Sequence, residues 1–176
     1  MILKIIKKIF NKLKTQLYLK QVQKKYKTKK TIKVYGKIQL DNPNIIFGDK
    51  VKLYSGVQIW GDGKITIGNN VAIGKDTIIY ANNSMTIGND TSIAGQCYII
   101  DSDHGIGKSQ LIREQPLETD SIYIGNDVWI GAGTKVLKGS HISEGSVIGA
   151  MSLVKGFTDP FSVNVGIPTK KIKERM

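Results

Sequence analysis

The stretch "IGNDVWIGAG" at residues 124–133 sets Ile124 and Ile130 six residues apart, each followed by glycine. The spacing is not local. From Phe47 onward the chain can be written in sixes: Phe47, Leu53 and Ile59, then Ile67, Ile73 and Ile79, then Ile87, Ile93 and Ile99. After a gap it resumes with Ile124, Ile130 and Val136, and with Ile142, Ile148 and Val154. A strand repeats every two residues and a helix every ~3.6, so neither gives six. A chain that turns a corner every six residues and returns above itself after three sides does. Each side is then a short strand, each coil pairs with the coils above and below, and the aliphatic residues stack inside. The first three sets are spaced by 20 rather than 18 residues, and the surplus falls at one place, "GDGKITIG" and then "NNSMTIG", with a related "TDSIYIG" after the gap. A surplus confined to one corner marks a closed, three-sided coil. The pattern predicts an all-β solenoid, a parallel β-helix of about five coils, over residues 31–159.

Four residues after each aliphatic position comes a second inward candidate, small or β-branched, among them Val51, Thr77, Thr91, Cys97, Thr134, Ser140 and Ser152. Cys97 thus reads as a buried structural thiol, not a nucleophile. A single cysteine excludes an internal disulfide framework and points to a reducing compartment, the cytoplasm. Solenoid ends expose strand edges that need covering. Residues 1–30 are expected to cover the first end, and 160–176, interrupted by Pro160 and Pro168, to fold back or form a short helix over the other.

The formal charge of +12 belongs to one arm: eleven of the 26 basic residues lie in the first thirty positions, and no acid precedes Asp41. The remainder is balanced to within one charge. It offers no broad phosphate-binding face, so nucleic acid is not an expected partner. In the arm Ile2, Ile6, Ile9, Leu13 and Leu17 recur at helical spacing, with Lys4, Lys7, Lys8, Lys12 and Lys14 largely on other faces. This is an amphipathic helix. It has neither a membrane-spanning run nor the pattern of a signal peptide. Two roles stay open: packing on its own domain or a sister subunit, and peripheral contact of residues 1–27 with an anionic membrane surface.

Within the prism the repeat breaks once, at 101–121, and the break opens with "DSDHGIG". Loops of this length in compact domains are usually functional or disordered. His104 stands in it with Asp101 and Asp103 close by; the other histidine, His141, falls at a repeat corner and reads as a surface residue. Two histidines without a ligand-spaced partner set give no metal site, and no glycine-rich phosphate loop is present.

These segments, the hexapeptide run from Phe47 to Thr158, "DHG" at 103–105, "IGNDVWIGAG", "VIGAMSLV" at 147–154 and "VGIPTKKIK" at 165–173, resemble the left-handed β-helix acyltransferases. The nearest branch is the sugar O-acetyltransferases of the maltose, galactoside and surface-polysaccharide types. The resemblance implies left-handed winding, a homotrimer, acetyl-CoA as acyl donor in a cleft between subunits, and no required metal. It implies that His104 is the general base that deprotonates a sugar hydroxyl for direct transfer, a role worth about 10²- to 10⁴-fold. Asp101 or Asp103 would orient the imidazole, or lie solvated in the loop. Asn82 would lie beside the histidine and acceptor. Trp129 would flank the donor groove, or else form a trimer contact. Gly131, Ala132, Gly149 and Ala150 would let the pantetheine arm approach the coils and donate backbone N–H groups, one of them to the oxyanion. Lys155, Lys170 and Lys173 would meet the nucleotide phosphates.

Three departures accompany the likeness. Lys155 comes one place earlier than the family lysine, Met151 replaces a glycine and is expected to narrow the groove, and the basic arm replaces an acidic, substrate-contacting N-terminal region. The last favours a polymeric or lipid-linked acceptor, in surface-polysaccharide assembly at the cytoplasmic side of the membrane. N-acetylation of an amino sugar or nucleotide sugar is the nearest alternative. A non-catalytic, membrane-recruited solenoid is the alternative of another class, and a metal-dependent anhydrase of the same shape lacks the histidines it would need.

Overall fold

The computed structural model describes residues 2–176, with the side chains of the N-terminal helix described at residues 6, 13 and 15–17 and from Leu19 onward. After α1 (Ile2–Lys25) the chain winds as a three-walled solenoid of parallel strands. Among the described residues the first wall runs from Ile32–Tyr35 to Ser162–Val165, with Lys170–Glu174 returning antiparallel at its edge. The second wall runs from Gln39–Leu40 to Leu153–Val154, and the third from Ile45–Phe47 to His141–Ile142.

Like residues sit on like. Leu53, Ile73, Ile93, Ile130 and Ile148 are rung partners in the first wall. Ile59, Ile79, Ile99, Val136 and Val154 form the second column, and Phe47, Ile67, Ile87, Ile124 and Ile142 the third. All fifteen are buried, Phe47 the most exposed at 5%. The secondary inward positions are buried too, and the threonine hydroxyls among them are satisfied by carbonyls of the next coil, Thr91 Oγ1 donating to Gly125 O at 2.8 Å and Thr134 Oγ1 to Gly149 O at 3.1 Å. Winding begins one coil before Phe47, with Ile32, Ile38 and Ile45 inside.

The corner between the third and first walls is fixed by a ladder of side-chain amides. The Asn69, Asn89 and Asn126 Oδ1 atoms accept from the backbone N–H groups of Asp49, Asn69 and Asn89 at 2.7–2.8 Å. The residues that follow, Lys50, Asn70, Asp90 and Asp127, are left-handed with φ of 53–59°. Asparagine and aspartate tolerate that region better than most residues. Gly88 is required by approach: a Cβ there would stand 2.5 Å from the carbonyl carbon of Gly125.

Both ends are closed by the chain itself. The last turns of α1 sit on the first coil through buried Val22 and half-buried Leu19, and the Tyr26 ring meets Phe47 edge-on at 5.3 Å while its hydroxyl donates to Asn42 O. The Ile6, Leu13 and Leu17 stripe takes no part in this and stays exposed, and the side chains of Ile2 and Ile9 lie outside the described residues. At the other end Arg175 Nη1 reaches Asp127 Oδ2 at 2.8 Å, pinning the returning strand to the prism. No described helix is long and apolar enough to cross a membrane.

Ile73→Ala empties a fully buried rung position and should cost about 2–5 kcal/mol, read from denaturant unfolding, whereas Thr66→Ala on the outer face should change stability by less than about 0.5 kcal/mol. Burial pushes the Cys97 thiol up, so the native protein should resist a thiol-alkylating reagent that labels the unfolded chain quantitatively.

Candidate functional site

The two-residue surplus of the early coils falls at the corner between the second and third walls, and the 101–121 excursion leaves from that same corner. It rises as a ribbon in which Ser102–His104 pairs antiparallel with Leu117–Thr119, placing Asp103 opposite Glu118 and His104 opposite Leu117. The chain then rejoins the third wall with Ile122, Tyr123 and Ile124 in register on Met85, Thr86 and Ile87. The core is therefore continuous beneath the loop. Gln115 ties the ribbon's far end: its Oε1 accepts from Gly107 N at 2.7 Å, and its Nε2 donates to Gly107 O and Gln110 O at 2.8 and 2.9 Å.

The ribbon's base is a buried network. The fully buried Asp101 carboxylate accepts from the backbone N–H groups of Asn82 and Asn83 at 2.8 and 2.9 Å, and Asn82 Nδ2 donates to Ser102 Oγ at 2.8 Å. Outside it, Lys138 Nζ lies 2.9 Å from Glu118 Oε2 and 3.5 Å from Asp103 Oδ2, clasping both strands. The Glu118 hydrogen bond, with the Glu118 and Asp103 charges behind it, holds Lys138 protonated above the usual lysine range despite partial desolvation. Both aspartates read as candidate orienters of His104 are thus engaged elsewhere, one holding the corner and one the clasp. His104 itself is exposed, and its imidazole has no hydrogen bond among the described residues.

Sequence reasoning did not single out Lys138. The available signal was positional: it turns the same corner one coil below Asp120. His141 also differs from expectation, since it lies in the third wall and not at a corner. It is half-buried in a stack between Tyr123 and Phe157, with centroid separations of 4.6 and 5.4 Å.

A second set of residues occupies the first wall and the corner between the first and second walls. Trp129 points outward, 58% exposed. Gly131 and Ala132 turn that corner in one coil, and Gly149 and Ala150 in the next, packed so closely that a Cβ on Gly131 would be 2.4 Å from Ala150 N. The N–H groups of Ala132 and Ala150 donate to nothing in the described chain. Both residues are exposed, so these are open donors one rung, about 4.8 Å, apart. Met151 packs against the bare backbone of Gly133. Lys170 and Lys173 lie exposed on the returning strand at the far edge of the same wall. Lys155 does not join them; it turns the second–third corner, on the His104 side.

In a three-walled prism the second–third corner is opposite the first wall. One chain therefore carries Asn82, Asp101, Asp103, His104 and Lys155 on one side and Trp129 with the open amides on another. Among the described residues no three of His, Cys, Asp and Glu gather as a metal site.

Residues 121–156 match the bacterial transferase hexapeptide (six repeats) family. The chain is 32% identical over 141 residues to WbbJ of Escherichia coli (strain K12), a protein named for O-acetyl transfer in lipopolysaccharide biosynthesis, covering 74% of this chain and 72% of that one. It is also 32% identical over 164 residues to a longer Mycobacterium tuberculosis protein named as an acetyltransferase, 79% of this chain and 55% of that one. The N-acyltransferase AntD of Bacillus cereus, solved as a point mutant with dTDP and coenzyme A, superposes with a TM-score of 0.75 at 25% identity, covering 84% of this chain and 82% of that one. A maltose O-acetyltransferase from Clostridium difficile 630 superposes with a TM-score of 0.61 at 26% identity, over 84% and 68% of the two chains. The chain belongs to the bacterial hexapeptide-repeat transferases, and its solenoid is the left-handed β-helix of that family.

Lys138→Gln removes the cation shared by Asp103 and Glu118, so amide hydrogen exchange across 102–119 should quicken while the walls keep their protection. Because the folded lysine is held charged, the clasp is fully present below the usual lysine range and lost as pH rises through Lys138's own raised value; wild-type exchange in 102–119 should respond to pH there in the same direction.

Proposed function

We propose that the protein transfers an acetyl group from acetyl-CoA to a sugar hydroxyl, in a site assembled from two copies of the chain within a homotrimer. The observation that carries this is the division of the site residues between two corners of one prism, with an apolar wall between them. The outer face of the second wall carries Trp60, Ile78, Tyr80, Tyr98 and Ile100 where alternation would place polar groups in a solvated sheet. Three chains that turn this wall toward a threefold axis bury it. The same packing brings the His104 corner of one chain to the Trp129, Ala132 and Ala150 corner of the next.

In that cleft the His104 imidazole takes the proton from the acceptor hydroxyl as its oxygen attacks the thioester carbonyl. The carbonyl oxygen gains charge and accepts from an open corner amide. Collapse of the tetrahedral species breaks the C–S bond, and the imidazolium returns its proton to the departing coenzyme A thiolate. No acyl-enzyme forms. Asn82 sits beside the acceptor, and Asp101 and Asp103 hold the ribbon from which the histidine projects. Trp129 covers the thioester arm, Gly131 and Gly149 let it lie close to the coils, and Lys170 and Lys173 face the nucleotide phosphates. Lys155 meets phosphate only across the cleft, from the histidine-bearing chain. The likeness to WbbJ supports a glycan acceptor in surface-polysaccharide assembly; we place that assembly at the cytoplasmic side of the membrane.

The superposition on dTDP-bound AntD favours a second reading, N-acetylation of an amino sugar carried on a nucleotide. A screen of hydroxyl and amino acceptors by coenzyme A release separates the two, and turnover confined to amines overturns the first. His104→Ala should lower kcat by about 10²- to 10⁴-fold with coenzyme A binding nearly intact. Trp129→Ala should weaken donor use instead. Co-assembling the two crippled variants should restore activity, because roughly a quarter of the interfaces in randomly mixed trimers pair two intact halves. Absence of any recovery would place the site within one chain.

A further inference from the structure

The uncovered side of α1 has no part in the chemistry proposed above. Ile6, Leu13 and Leu17 are 58%, 54% and 63% exposed, and at about 100° per residue they fall within roughly 40° of one another around the helix. Leu19, Val22 and Tyr26, which grip the solenoid, lie roughly 120–180° away from them. The helix therefore has two apolar sides, one docked on the first coil and one bare.

The charge of the segment selects what covers the bare side. Eleven basic residues and no acidic one lie in the first thirty positions. A second copy of the same helix would bring lysines against lysines with no carboxylate from either partner segment to offset them. Anionic lipid headgroups offer the complementary charge, and the acyl boundary just beneath them accepts separate aliphatic side chains. No described helix is long and apolar enough to cross a membrane, which leaves the in-plane position. We infer that α1 is an interfacial anchor that inserts Ile6, Leu13 and Leu17 at the headgroup boundary of an anionic bilayer while its other side holds the first coil. The anchor is independent of which acceptor is acetylated.

The test uses the full-length protein and vesicles of phosphatidylcholine with or without phosphatidylglycerol, read by co-sedimentation at low and high salt. The wild type should bind the phosphatidylglycerol vesicles and release as salt rises. The Leu13→Gln/Leu17→Gln double variant, which keeps every charge, should bind them about tenfold more weakly or worse, with melting temperature and oligomer size unchanged. Ile6→Gln alone provides the same comparison should the double variant lose solubility. Equal binding to neutral vesicles, no binding to anionic ones, or undiminished binding by the variants would overturn the inference. So would dissociation of the oligomer in the double variant, which would assign the stripe to a second copy of the chain.

Discussion

Parallel strands one rung apart, about 4.8 Å, force each residue to accept its counterpart in the neighbouring coil as its closest companion. Every other feature of the molecule answers to that spacing. The inner columns consist of residues of similar shape because a mismatch would propagate along the axis as a void or a clash. The third–first corner reuses one backbone solution, glycine, then an amide or acid, then a left-handed residue, because the coils approach too closely there for a side chain on the glycine. Hydroxyls inside the prism meet backbone partners, most of them carbonyls of the adjacent coil, so the column is dry without being purely apolar.

A triangular cross-section also limits what one chain can do. Its corners point in three directions, and a cleft deep enough for a long, flexible donor needs two surfaces. The single prism has an open pair of amides at one corner and a projecting imidazole at another, with apolar side chains on the wall between. On the proposed reading, association is part of the active site and not an addition to it. On that reading function is divided between corners that never face each other in one chain.

The columns were legible because the coil is periodic: fifteen positions from Phe47 to Val154 obey one spacing, and the structure places all of them inside. The first coil, 32–47, falls inside the predicted 31–159 span but outside the six-residue columns, because its corners use "YGKI" and "DNPN" in place of the recurrent glycine–asparagine turn. The break at 101–121 and its histidine were visible as an interruption. What surrounds the histidine was not. Asp101 is bound to the Asn82 and Asn83 amides of the preceding coil, and Asp103 to Lys138 of the following one. Contacts between coils follow the winding, not neighbourhood in sequence, so a reading along the chain pairs an aspartate with the histidine one or three positions away. The helical arm shows the same limit. Its periodic stripe was apparent, yet the residues that grip the solenoid, Leu19, Val22 and Tyr26, lie on the other side.

The histidine ribbon departs from the one corner where the early coils already carry extra residues, and the chain returns to the third wall in register. Lengthening a flexible connection costs only about 0.6 kcal/mol for each doubling, and no core position is displaced by it. On the proposed reading, the part of the excursion beyond His104 can therefore be exchanged as a cassette that retunes acceptor preference, while the stacked columns that carry the stability remain untouched.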